Sequence, residues 1–150
     1  MTFGTDQRGA EEATSRAIFD AYREAGGKFI DTADIYSSGI SEEMIGRFIA
    51  ETGSRDGMVL ATKFAFNGSA SPLTATQPGG GNPNAGGAGA NNIHRALHAS
   101  LKRLGTDYID LYWMHIRDGV TLIEEIIQTL GDLVRVGTIR YYALSDMPAG

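Results

Sequence analysis

The sequence predicts an α/β protein in which four to five parallel strands alternate with helices. Short apolar runs that are partly β-branched recur along the chain, as in the buried strands of a parallel sheet. Longer stretches with an apolar stripe at helical spacing separate these runs. Strands that alternate with helices of ten or more residues form βαβ units, and these units give a parallel sheet. The 150 residues are sufficient for one domain with its own core.

Four stretches are predicted to be helices, and they cover residues 11–26, 42–51, 91–105 and 121–137. The first and third end at a glycine, which is typical of a helix C-terminus. Ser41 precedes the second stretch, which has acidic residues in its first turn, and we predict that Ser41 is the N-cap. Three basic residues of the third stretch are predicted to lie on an exposed face, namely Arg95, Lys102 and Arg103.

Four apolar runs are predicted to be strands, and they cover residues 28–33, 57–63, 109–115 and 138–144. Residues 1–3 could add a short fifth strand. The sequence stops soon after the last run, before any helix that could cover it. An open parallel sheet of this kind would leave an unpaired edge and an uncovered apolar face.

Residues 67–91 differ from the rest of the chain because they are rich in Gly, Asn, Pro, Ser and Ala. Such a segment buries too little apolar surface to order itself. It contains neither of the two common glycine-rich phosphate-binding motifs, GxGxxG and GxxxxGK[ST]. We therefore predict a flexible loop over the carboxyl ends of the strands rather than a phosphate cradle.

Charge and composition narrow the possible partners. The formal net charge of −5 argues against a nucleic acid or an anionic membrane, since both require a basic face. A chain without cysteine forms neither disulfides nor thiolate zinc sites. The sequence has no long apolar run, and its beginning lacks the order of a signal peptide. We expect a soluble, cytoplasmic protein with no nucleic-acid or membrane partner.

Four polar residues are predicted to meet at one edge of the sheet. Asp31 lies near the end of the first strand, and Tyr36 follows in the next loop. Lys63 ends the second strand, and His115 ends the third. Reactive groups of α/β proteins gather at the carboxyl ends of the strands. Taken singly, each residue could serve as a cap, a packing group or a backbone partner.

Together these four residues have the chemistry of a proton donor for a carbonyl. An ammonium beside a phenol favours its ionised form, so Lys63 would make Tyr36 a better acid. Asp31 would pair with Lys63, whose burial would otherwise be costly. A neutral His115 could orient a carbonyl and stabilise the oxyanion. No side chain supplies a hydride, so a reduced nicotinamide is its natural source.

The sequence resembles the aldo-keto reductase family in four motifs that occur in the family's order. These are FIDTADIYSSGISEEMIG, LATKF, LKRLGTDYIDLYWMHI and VRVGTIRYYALSD. The likeness is strongest to the aryl-alcohol dehydrogenase-like branch. It implies a (β/α)8 TIM barrel and NAD(P)H-dependent reduction of aldehydes or ketones, with a small-molecule carbonyl substrate. NADP is the expected cofactor, and NAD is the less common one.

The resemblance also implies roles for individual residues. The family's catalytic tetrad falls on Asp31, Tyr36, Lys63 and His115, with Tyr36 as general acid. Asp31, Ser145 and Asp146 are expected to contact the cofactor. The last motif departs from the family's usual Ser-Asn, because it reads Ser145-Asp146. A complete barrel takes ~250 residues. Residues 1–150 are therefore expected to be the N-terminal portion of a single barrel domain, a partial barrel whose C-terminal half is absent.

Two other hypotheses remain beside an enzyme. The chain could be a nucleotide-binding regulatory subunit of the aldo-keto reductase fold. It could also be a truncated fragment that is inactive by itself. His94 and His98 are four residues apart on one predicted helix, as metal ligands can be, but HExxH is absent. We therefore expect no metal site.

Overall fold

A computed structural model describes residues 2–5, 9–65, 86–117 and 119–146. Its centre is one sheet of four parallel strands, whose spatial order is the order of the chain. The strands are β1 (Phe29–Asp31), β2 (Val59–Phe64), β3 (Ile109–Met114) and β4 (Ile139–Leu144). The predicted parallel α/β architecture is confirmed, and each strand lies within one residue or two of its predicted bounds.

Four helices alternate with the strands, and they are α1 (Glu12–Glu24), α2 (Ile40–Thr52), α3 (Ala90–Leu104) and α4 (Ile123–Val136). Two short 3-10 turns, Tyr36–Gly39 and Arg55–Gly57, precede α2 and β2. The last three helices each end at a glycine in the left-handed region, where a residue with a Cβ would be strained. In the described part of the chain, no helix is long and apolar enough to cross a membrane.

One predicted helix cap is wrong. Ser41 is not the N-cap of α2, because the helix begins at Ile40 and Gly39 occupies the cap position. The Ser41 hydroxyl is buried instead, and it accepts a hydrogen bond from the Phe3 amide and pairs with Thr32 Oγ1. Helix α3 begins at Ala90, one residue before its predicted start, and most of the predicted loop at 67–91 lies outside the described part, which omits residues 66–85.

The possible strand at residues 1–3 is reduced to a single bridge. Phe3 pairs with Ala10 in parallel orientation, outside the four-stranded sheet. Met1 lies outside the described residues. The Phe3 ring is buried and packs near Phe48 of α2, with 6.2 Å between ring centroids. This segment therefore contributes to the core through its side chain rather than through a sheet.

The two faces of the sheet differ in burial. One face joins the apolar sides of the helices in a single core, and its side chains are almost fully buried; they are Ile30, Leu60, Thr62, Phe64, Tyr112 and Met114. The opposite face carries Phe29, Val59 and Tyr141, which are 47%, 40% and 72% exposed. Ala61, Ile109 and Ile139 on this opposite face are nevertheless buried, so the face is only partly uncovered. Asp31, Lys63 and Trp113 lie on this same face, since strand neighbours alternate in direction.

An arginine joins the strands at the amino end of the sheet. Arg55 pairs with Asp110 of β3 at 2.9 Å and donates to the Tyr108 carbonyl. Its guanidinium also lies 3.9 Å from the centroid of the Tyr108 ring, and Arg140 lies 4.5 Å from the same centroid. Asp110 in turn accepts a hydrogen bond from the amide of Leu60 in β2. This end of the sheet is thus held by side chains that connect β2, β3 and β4.

We expect Arg55→Ala to lower the free energy of unfolding by ~1–3 kcal/mol, measured by chemical denaturation. The cost arises because Asp110, only 21% exposed, would lose its cation. Arg135→Ala is the matched control, since the Arg135–Asp132 pair is exposed and should be worth less than ~1 kcal/mol. Equal effects of the two substitutions would contradict a structural role for Arg55.

Candidate active site

Three of the four predicted site residues lie at the carboxyl ends of adjacent strands. Asp31 is the last residue of β1, Lys63 the penultimate residue of β2, and His115 directly follows β3. Backbone hydrogen bonds continue the sheet past the strand ends, from Asp34 N to Lys63 O at 3.1 Å and from His115 N to Phe64 O at 2.9 Å. The rigid ladder therefore fixes the relative positions of these residues.

The Lys63 ammonium is held by two oxygens, one from the last residue of β1 and one from the residue after it. It forms an ion pair with Asp31 Oδ2 and donates to the carbonyl oxygen of Thr32 at 2.7 Å. The side chain of Lys63 is 12% exposed, so the ion pair offsets much of the cost of removing the ammonium from water. The predicted pairing of these two residues is present.

Tyr36 brings a phenol to the same edge from the loop after β1. Its ring centroid lies 5.2 Å from Lys63 Nζ, within the range of a cation–π contact. The ring also meets the His115 imidazole edge to face, with 5.9 Å between centroids and an interplanar angle of 80°. The structure thus brings all four predicted residues together.

His115 is half-buried beside this ammonium. Burial lowers the pKa of its imidazole from the ordinary 6.5, and the positive charge of Lys63 lowers it further; Asp146 and Asp31 oppose this shift. The imidazole is therefore neutral at pH 7 and can donate one hydrogen bond. Its contribution to stability is complete above pH 6.5, and is lost as the pH falls through the lower pKa of the folded state.

We expect the imidazole signals of His115 to titrate with a midpoint below 6.5 in an NMR experiment, and Lys63→Met to raise that midpoint. The reason is that the substitution removes a positive charge that opposes protonation. The chain has only three histidines, so the signals are easily assigned. A wild-type midpoint above 6.5, or no response to Lys63→Met, would contradict this electrostatic description.

The turn that carries Tyr36 has an unusual backbone, which the sequence does not reveal. Ser37 and Ser38 have φ values of 49° and 56°, in the left-handed region that non-glycine residues rarely adopt. Gly39 follows with a φ of 96°. Strain of this kind is commonly found next to functional groups, where the surrounding structure enforces it.

Ser145 and Asp146, the residues that are predicted to contact the cofactor, follow β4. The amide of Ser145 donates to the Met114 carbonyl at 2.9 Å, which places this dipeptide beside His115. Asp146 has a φ of 50° and an exposed side chain, and its charge acts on His115. Both residues therefore lie at the edge that carries the other four.

A second polar group, not predicted from the sequence, lies behind this edge. Glu42 of α2 is fully buried, and its carboxylate accepts hydrogen bonds from Thr62 Oγ1 and Arg103 Nε, each at 2.6 Å. The predicted exposed position of Arg103 is therefore wrong, although Arg95 and Lys102 are exposed as expected. The acidic first turn of α2 gave no sign of a partner 61 residues away.

Comparison with known proteins assigns the family. The sequence model of the aldo/keto reductase family matches residues 1–150. Norsolorinic acid reductase A of Aspergillus parasiticus is 36% identical over 99% of this chain. An aryl-alcohol dehydrogenase of Phanerodontia chrysosporium, whose name specifies NADP(+), is 37% identical over 93% of it. The chain spans 38% and 36% of the lengths of these two relatives.

A solved structure supports the same assignment. An aldo-keto reductase of Bacillus halodurans, in its holo form, superposes with a TM-score of 0.76 and 33% sequence identity. The match covers 98% of this chain and 46% of that protein. The four alternating strands and helices thus correspond to part of a (β/α)8 barrel. This chain belongs to the aldo-keto reductase family.

Proposed function

We propose that residues 1–150 are the N-terminal portion of the barrel domain of an NAD(P)H-dependent oxidoreductase that reduces aldehydes or ketones to alcohols. The observation that carries this proposal is the juxtaposition of Tyr36, Lys63 and His115 at the carboxyl edge of the sheet. Relatives named reductases and dehydrogenases support the oxidoreductase class.

Tyr36 is the general acid in this proposal. Reduction delivers a hydride to the carbonyl carbon and a proton to the carbonyl oxygen, which together give the alcohol. The phenol of Tyr36 supplies that proton, and the Lys63 ammonium stabilises the phenolate left behind. The Asp31 carboxylate keeps the ammonium in place.

His115 binds the carbonyl group of the substrate in this proposal and does not donate the proton. A neutral imidazole donates a hydrogen bond without the charge that would compete with Lys63 for the phenolate. Such a donor orients the carbonyl and stabilises negative charge on its oxygen as the hydride arrives. The two rings are in edge-to-face contact, which supports a proposal in which both donors serve one carbonyl oxygen.

A reduced nicotinamide bound at this edge would supply the hydride. The side chains at the end of β4 fit the carboxamide of such a ring, because Ser145 offers a hydroxyl and Asp146 a carboxylate that accepts from an amide. Asp31 is the third expected contact. NADP is the proposed form, since the names of two relatives specify NADP(+).

The test is to follow NADPH and NADH oxidation at 340 nm in the full-length protein with a panel of aromatic and aliphatic aldehydes and ketones. We expect saturable turnover with at least one aromatic aldehyde and a preference for NADPH. Cofactor binding without turnover across the panel would favour a nucleotide-binding regulatory subunit instead. Absence of both binding and turnover would reject the proposal.

A further inference from the structure

The buried carboxylate of Glu42 is saturated by two partners from different elements. One oxygen accepts from the hydroxyl of Thr62 in β2, and the other accepts from the guanidinium of Arg103 in α3. The Glu42 side chain has no exposed surface, whereas Arg103 is 24% exposed. Removing such an ion pair from water costs about as much free energy as the attraction between the two charges returns. A gain in overall stability therefore does not explain why the pair is buried.

Both partners of Glu42 adjoin the active site. Thr62 directly precedes Lys63, and its side chain points to the helix side of the sheet while that of Lys63 points to the opposite side. Arg103 packs on the turn that carries Tyr36. A Cβ built on Gly39, the last residue of that turn, would lie 2.9 Å from Arg103 Cδ.

The turn needs such support because it is strained. Two consecutive serines, Ser37 and Ser38, occupy the left-handed region. From the other side, Ser37 Oγ donates to the Gly4 carbonyl at 3.2 Å. The Arg103 side chain packs on the side of the turn that faces α3. The backbone of the turn is therefore clamped between the N-terminal segment and the Glu42–Arg103 pair.

We propose that Glu42 is a positioning residue of the active site, and that its bonds to Arg103 and Thr62 fix the Tyr36 turn relative to the strand that carries Lys63. Glu42 does not touch the reacting atoms. It sets the separation between the phenol and the ammonium, which are held by different elements. This inference rests on the proposed carbonyl reduction for its kinetic consequence, but the geometric claim is independent of turnover.

The kinetic test compares variants of the full-length protein. Glu42→Gln and Thr62→Val are expected to lower kcat by ~10- to 100-fold, since small misplacements of a catalytic group have effects of this size. KM should change less than about threefold, because the substrate contacts remain. Thr62→Ser keeps the hydroxyl and should retain near-normal turnover. If Glu42→Gln fails to fold, the kcat of Thr62→Val compared with that of Thr62→Ser still tests the positioning role.

Asp110→Asn is the matched control. It removes the charge from a carboxylate that, like Glu42, pairs with an arginine and accepts a hydrogen bond from β2, but at the opposite end of the sheet. We expect Asp110→Asn to lower stability and leave kcat near normal. Equal kcat for Thr62→Val and Thr62→Ser, or an equal loss in Asp110→Asn, would overturn the positioning role.

A second readout does not depend on turnover. The Tyr36 and His115 rings are in contact, so nuclear Overhauser effects between them report the position of the turn. These effects should weaken in Glu42→Gln and Thr62→Val and persist in Thr62→Ser and Asp110→Asn. If the wild type reduces no carbonyl while the ring contacts respond as expected, the proposed function fails and the positioning role stands. Unchanged ring contacts in all four variants would reject the positioning role.

Discussion

Tyr36→Phe is expected to lower kcat for carbonyl reduction by ~10²–10⁴, the usual contribution of a positioned general acid. The substitution removes one oxygen and leaves the ring that packs on His115 and Lys63. The fold and substrate binding should therefore be preserved while the proton donor is lost. Steady-state kinetics with a saturating aldehyde measure the effect.

Tyr108→Phe is the matched control for this prediction. Tyr108 lies at the opposite end of the sheet, and its ring contacts Arg55 and Arg140 through the aromatic face, which phenylalanine retains. The kcat of the Tyr108→Phe variant should equal that of the wild type. Near-normal reduction by Tyr36→Phe would remove the proposed mechanism, since no other phenol is placed against Lys63 in the described part of the chain.

Lys63→Met is expected to lower kcat by about 10²-fold, similar to the loss of a charged or polar group that stabilises a transition state. Methionine preserves the length and apolar stem of the side chain but removes the ammonium. The phenolate of Tyr36 then forms without a neighbouring positive charge, and Asp31 loses its ion pair.

Lys102→Met controls for the loss of a positive charge in general, because Lys102 is exposed on α3. We expect no more than a small change in the kcat of the Lys102→Met variant. If Lys102→Met and Lys63→Met reduced turnover to the same extent, the effect would come from net charge rather than from the position of the ammonium. An unchanged kcat in Lys63→Met would contradict its proposed role directly.

The sequence was sufficient to predict the sheet and the positions of the four site residues. The apolar runs around Ile30, Leu60 and Tyr112 are local signals, because one buried strand needs only its own residues to show them. Parallel topology then places the strand ends at one edge. This is why the sequence alone predicts that Asp31, Lys63 and His115 lie at a common edge.

The features that the sequence did not predict depend on contacts between distant residues. Glu42 and Arg103 look like ordinary polar positions of amphipathic helices, and only the packing of α2 on α3 and β2 shows that they pair. Ser41 has the residue type of an N-cap, but its hydroxyl bonds to Phe3 and Thr32 instead, and the helix begins at Ile40. In both cases a tertiary contact overrode a local preference.

A double-mutant cycle on Tyr36→Phe and Lys63→Met tests the central claim most directly, namely that the phenol and the ammonium act as one unit. Residues that act together are strongly non-additive. The account predicts that the double variant is little slower than Tyr36→Phe alone, because Lys63 acts chiefly through the phenol and only secondarily through the pKa of His115. Losses in kcat that multiply in the double variant would contradict it.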